Sequence, residues 1–141
     1  MSTRVLVVDD NVVNLKLAAY VLQLEGYEVV TAAEAEGAVA SVRERRPALI
    51  LMDIQMPGKD GLTLTRELKA DPSTRDIVII ALTASAMKGD EERAISAGCD
   101  GYIAKPIDTR ELSRAVKSAL ERSGGASNVE SSDAANGGDP S

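Results

Sequence analysis

Leu49-Ile50-Leu51-Met52-Asp53 is the stretch on which the fold turns. Four apolar residues run unbroken into one carboxylate. A strand of that pattern is apolar on both faces, which suits a sheet covered by helices on both sides. Val5-Leu6-Val7-Val8 has the same form and runs into Asp9-Asp10, and Ile79-Ile80-Ala81-Leu82 runs into Thr83. Two further segments are shorter or mixed: Tyr27 to Ala32, and Gly101 to Ala104, which precedes Lys105-Pro106. These two suit sheet edges. The expected strands are 4–9, 27–32, 48–53, 77–83 and 101–104.

Between them lies the helical period. Leu15, Ala18, Ala19 and Leu22 share one face of a first helix; Ala35, Ala38, Val39 and Val42 share one face of a second. Leu112, Ala115, Val116, Ala119 and Leu120 mark the last, which Asp108 and Glu111 open as a variant of the capping box. Gly26, Pro47, Pro72 and Gly98 act as stops between elements. A fourth helix, around 87–97, begins with the charged run Lys88 to Arg93 and is expected to be exposed and loosely packed. Strand–helix alternation of this kind implies an α/β fold with a parallel sheet and right-handed crossovers. Parallel strands all end at one edge, where open α/β sheets place their sites. Asp9, Asp10, Asp53, Thr83 and Lys105 are therefore expected to meet.

The alternation fills residues 1–122, one domain. From Ser123 the composition shifts to Ser, Gly, Ala, Asn and Asp without periodicity, and 123–141 reads as a disordered acidic tail. The chain has 141 residues and neither Trp nor Phe, so its core is aliphatic. A formal net charge of −6 argues against nucleic acid and anionic membrane surfaces as partners. The absence of histidine excludes a Ser-His-Asp triad, a Cys-His dyad and a phosphohistidine donor within the chain. No stretch approaches the roughly 20 apolar residues of a membrane helix, and no secretory signal opens the chain. Cys99, the single cysteine, reads as a small buried apolar residue. A cytoplasmic location is expected.

Three carboxylates at one edge repel one another unless a cation stands among them. Carboxylates without His or Cys favour a hard ion, and magnesium takes one or two of them while keeping water or phosphate oxygens. The set thus points to Mg2+ and a phosphoryl group. Asp53, alone at the end of the central run, is the candidate nucleophile for an acyl phosphate. Asp9 and Asp10 are then the metal pair, Lys105 a point charge for a phosphate oxygen, and Thr83 a hydroxyl at the same edge, with the small Ala84 leaving room. Each residue also has a plainer reading. The Asp pair can be a polar loop or a cap, Asp53 a turn former before Pro57-Gly58, Thr83 a strand end, Lys105 a solvated lysine, and Tyr102 an edge-strand packing residue.

Taken together, Asp9-Asp10-Asn11, the segment Leu51-Met52-Asp53-Ile54-Gln55-Met56-Pro57-Gly58-Lys59-Asp60-Gly61, Leu82-Thr83-Ala84 and Lys105-Pro106 resemble the receiver domains of two-component response regulators. The resemblance covers essentially all of 1–122. It implies a flavodoxin-like (βα)5 three-layer sandwich whose five parallel strands run in the order 2-1-3-4-5. It implies that Asp53 accepts a phosphoryl group from a histidine kinase or a phosphotransfer protein. Asp10 and Asp53 would bind Mg2+ directly, Asp9 through water, with the backbone carbonyl of Gln55 as a further ligand. Lys105 and Thr83 would hold phosphoryl oxygens. Pro106 would follow a cis bond, and Thr83 with Tyr102 would form the switch. A downstream protein would dock on the fourth helix, fifth strand and fifth helix. Gln55 and Ser85 match positions that tune phosphoryl lifetime. The resemblance makes the chain no enzyme beyond its own phosphorylation and slow dephosphorylation.

Residues 83–93 are similar to single-domain regulators of the DivK-like type, and also to receivers attached to hybrid histidine kinases. A haloacid-dehalogenase-like phosphatase is the enzymatic alternative, but it needs an acid where this chain has Gln55 or Asn11. A flavin-binding module would set its phosphate against Asp9-Asp10. An inactive pseudo-receiver would lack one of the acids, the hydroxyl or the lysine.

Overall fold

In the computed structural model, residues 3–56, 58, 60–83 and 88–128 are described, with backbone alone at 88 and 124–128. Among them strands and helices alternate strictly: β1 Arg4–Val8, α1 Val12–Leu24, β2 Glu28–Ala32, α2 Ala35–Glu44, β3 Leu49–Asp53, α3 Gly61–Ala70, β4 Val78–Thr83, α4 Lys88–Ala97, β5 Gly101–Ala104 and α5 Thr109–Asn128. All strand pairs are parallel, in the order β2-β1-β3-β4-β5. The apolar strands β1, β3 and β4 lie inside, and the mixed β2 and β5 form the edges. This is the expected flavodoxin-like sheet.

Side chains alternate across a strand, so the continuous runs divide between two cores. Val5, Val7, Leu49 and Leu51 pack with α1 and α5 on one face. Leu6, Val8, Ile50 and Met52 pack with α2, α3 and α4 on the other. Three helices begin at the carboxyl edge with a side-chain cap. Asn11 Oδ1 accepts the Val13 N–H at 2.9 Å, Asp60 Oδ1 the Thr63 N–H at 2.8 Å, and Asp108 Oδ1 the Arg110 N–H at 2.9 Å. Each cap satisfies a donor that the first helical turn leaves unpaired.

Two expectations need correction. The last helix does not stop at Arg122; α5 continues to Asn128 through Gly124-Gly125. Extending an existing helix adds one hydrogen bond per residue, so even glycines can be carried along once the helix is nucleated. The fourth helix is exposed along much of its length but not throughout: toward its carboxyl end Ala94 and Ala97 are buried, while Gly89, Glu92, Arg93, Ile95 and Ser96 are exposed. Small residues at the helical period let that end approach the sheet. Pro57, Lys59, Ala84, Ser85, Ala86, Met87 and the tail from 129, with Glu130, Asp133 and Asp139, lie outside the described residues. No helix among the described residues is long and apolar enough to cross a membrane.

Candidate functional site

The carboxyl edge of β1 and β3 carries Asp9, Asp10 and Asp53, which offer ligand atoms within 4.8 Å of one another. Asp9 is 0% exposed and Asp53 2%, whereas Asp10 is open to solvent. The two buried aspartates are held alike. Asp9 Oδ1 accepts the N–H of Asn11 at 2.9 Å, and Asp53 Oδ1 accepts the N–H of Gln55 at 2.9 Å. Each is a side chain reaching its own backbone two residues on, the turn that Asp forms readily. The plainer reading of Asp53 as a turn former is therefore also true: one oxygen makes the turn, and the other turns into the pocket.

That second oxygen faces Lys105. Its Nζ lies 3.0 Å from Asp9 Oδ2 and 3.4 Å from Asp53 Oδ2. The lysine thus stands nearer to Asp9 than to Asp53, a preference the sequence did not suggest. Both Oδ2 atoms are buried without a directed hydrogen bond. Three carboxylates against one ammonium leave two uncompensated negative charges when all are ionised, which is the charge of one divalent cation. The donor set is oxygen only, the chemistry of a hard ion. The Lys105–Pro106 bond is cis.

Burial pushes the Asp53 carboxyl up to about 6. The charge of Asp9 and the neighbouring Asp10 carboxyl act in the same direction, while the Gln55 amide and Lys105 oppose them. At neutral pH a substantial share of Asp53 is ionised, and a cation between the carboxylates would complete the ionisation.

Gly61 explains part of the placement. It opens α3 directly behind Asp53, and a Cβ there would overlap the Asp53 carbonyl oxygen. Only a residue without a side chain lets the helix close over the end of β3. Gly61 was legible as part of a motif but not as a steric necessity, because the approach of α3 to β3 is a tertiary fact.

Thr83 ends β4 and is fully buried. It pairs with Ala104 across the ladder, and Tyr102 pairs with Ala81 two residues earlier. By alternation Thr83 and Tyr102 lie on the α4 face of the sheet. Tyr102 is 38% exposed, and the neighbouring Glu91 carboxylate of α4 holds its hydroxyl's ionisation above the usual range. Gln55 is exposed and placed here by its N–H to Asp53.

A sequence profile of the response regulator receiver domain matches residues 5–117. The polar-differentiation response regulator DivK of Brucella anthropi is 45% identical over 120 residues, 85% of this chain and 98% of that protein. Among solved structures, a response regulator from Chloroflexus aurantiacus superposes with a TM-score of 0.83 at 33% identity, covering 86% of this chain and all of that one. A CheY-like receiver domain protein from Methanospirillum hungatei gives 0.82 at 29% identity, covering 89% and 99%. The strand order, the acidic edge and these likenesses agree, and the chain belongs to the response regulator receiver family, the phosphoacceptor domains of two-component signalling.

Proposed function

We propose that Asp53 is the phosphoacceptor and that Asp9, Asp10 and Asp53, with the Gln55 backbone carbonyl, hold a magnesium ion beside it. The observation that carries this is the pair of buried, undirected Oδ2 atoms on Asp9 and Asp53, facing one lysine in a pocket of three acids. When bound, the metal would neutralise charge on the transferring phosphoryl group. Ionised Asp53 attacks the phosphorus of a phosphohistidine on a histidine kinase or phosphotransfer protein. The O–P bond forms, the N–P bond breaks, and the imidazole leaves with its electron pair and takes up a proton. Lys105 and the Thr83 hydroxyl then receive phosphoryl oxygens.

Because Asp53 forms the bond itself, each chain takes up one phosphoryl group and is free for another only after losing it, so it catalyses only its own phosphorylation and slow dephosphorylation. Contacts of Thr83 and Lys105 made only with the phosphorylated state shift the population of Tyr102 and α4. A downstream protein reads that shift at α4, β5 and α5, where Ile95 and Tyr102 are exposed. The setting for this exchange is the cytoplasm.

The test is incubation of the chain with Mg2+ and a small acyl phosphate, followed by intact-mass measurement. Wild type gains one phosphoryl group, and Asp53→Asn gains none. Stoichiometric labelling of Asp53→Asn at another residue would refute the assignment.

A further inference from the structure

We propose that Lys69 pins one end of α4, so that the helix answers events at the acidic pocket by swinging about the Gly98–Asp100 turn. For the phosphorylated state this rests on the function proposed above; for the resting state it does not.

The two ends of α4 are held very differently. Toward its carboxyl end Ala94 is 0% exposed and Ala97 4%, with Cys99 buried just beyond. In its first half Gly89, Glu92 and Arg93 are exposed, and Asp90 and Glu91 are half-buried. That half, with no buried side chain among its described residues, follows Thr83 at the pocket edge of the sheet, whereas the end that buries Ala94 and Ala97, with Ile95 and Ser96 exposed between them, lies at the opposite edge. Ten residues at 1.5 Å each separate the ends by about 15 Å.

Lys69, at the end of α3, closes the far end. Its Nζ donates to the Ile77 carbonyl at 2.8 Å, to Asp100 Oδ2 at 3.0 Å and to the Arg75 carbonyl at 3.2 Å. An ammonium has three protons, and all three are used. The same Asp100 oxygen accepts the Ile79 N–H at 2.9 Å, and the Asp100 N–H donates to the Ile79 carbonyl at 2.7 Å. Asp100 thereby fastens the entry of β5 to β4, and Lys69 fastens Asp100 to α3.

The stem of Lys69 also covers the turn. Gly98 has φ +106°, and a Cβ there would stand 3.0 Å from Lys69 Cγ. The turn itself is closed by the Gly98 N–H to Ile95 and the Cys99 N–H to Ala94, both at 3.0 Å. A left-handed glycine with these bonds is a firm helix stop. An isolated surface ion pair contributes little. This one differs because its ammonium also satisfies two backbone carbonyls. A helix fixed at one end and sparsely packed at the other responds to a push by tilting, which moves Glu91 and Ile95 relative to Tyr102 while the start of β5 stays in place.

Amide hydrogen exchange on the full chain tests the pin. Without donor, Lys69→Met lowers protection of residues 94–101 by about tenfold or more, with α1 and α5 unchanged. Asp100→Asn, which keeps an acceptor for Ile79, lowers it less. Protection equal to wild type in both variants overturns the proposal. With Mg2+ and acetyl phosphate, wild-type amide shifts fall in the first half of α4 and at Tyr102 but spare the Gly98–Asp100 turn; in Lys69→Met they spread through that turn. The same boundary in wild type and variant also overturns it. Lys69 lies outside the acidic pocket, so the variant takes up the phosphoryl group at the wild-type rate. If wild type takes up none, the function proposed above fails, and the exchange arm still decides the pin.

Discussion

The acidic pocket and the α4–β5 face lie on one sheet and are built on opposite terms. In the pocket, Asp9 and Asp53 are almost wholly removed from solvent, and each is tied to its own backbone while facing Lys105. On the α4–β5 face, Ile95 is 60% exposed and Tyr102 38%, and the Glu91 carboxylate beside the tyrosine raises the ionisation of its hydroxyl. Groups that must meet a reacting atom sit where burial and backbone bonds over-determine their position. Groups that must change position sit where few contacts hold them.

The sharpest way to break this contrast is Gly61→Ala. Its Cβ has no room beside the Asp53 carbonyl, so α3 must move away from β3. A loss above about 3 kcal/mol is expected in denaturant unfolding, with phosphoryl uptake impaired. If the variant unfolds like wild type, the pocket is less constrained than its geometry indicates.

Asp53→Asn tests the cost of burying charge. With its carboxyl at about 6 in the fold and 3.8 as the ordinary value, the native state binds more protons between those values. Stability of the metal-free protein therefore falls as pH rises from about 4 to about 6 and then levels off. Asp53→Asn removes that fall and is more stable than wild type at pH 8 by roughly 1–3 kcal/mol. Thermal unfolding across the pH range reads this, and added Mg2+ should stabilise wild type more than the variant.

Lys105→Ala joins the two regions. It should still bind Mg2+ and accept the phosphoryl group, but the amide shifts that labelling causes in α4 and at Tyr102 should shrink. Identical shifts in variant and wild type would show that the lysine does not carry the signal. The smallest effect is expected from Glu91→Gln. Loss of the carboxylate lets the Tyr102 hydroxyl ionise at lower pH, visible in its ring resonances, while the melting temperature stays put.

Much of the fold was legible because aliphatic runs and the helical period are properties of the local chain. β3 falls on 49–53 and β5 on 101–104, the latter matching expectation at both ends. Asp9, Asp10, Asp53 and Lys105 were legible as a set because parallel strands bring their ends to one edge. Other features left no local signal. Lys69 looks like any helical lysine until Ile77 and Asp100 come within its reach. The split in α4 depends on which alanines meet the sheet. The extent of α5 was missed because composition changes at Ser123 before the helix ends.

What the amino-acid order determined by itself is the parallel sheet, its edges, and the kinds of atom at its carboxyl end. Hydrophobic period and residue type suffice for that, since they act over a few neighbouring positions. What only the folded chain decided is which oxygen faces which cation. Lys105 stands closer to Asp9 than to Asp53, Gly61 leaves the gap that α3 needs, and Lys69 closes the far end of α4. These depend on ångström-scale distances between segments far apart along the chain, set by packing of the two cores rather than by any local preference.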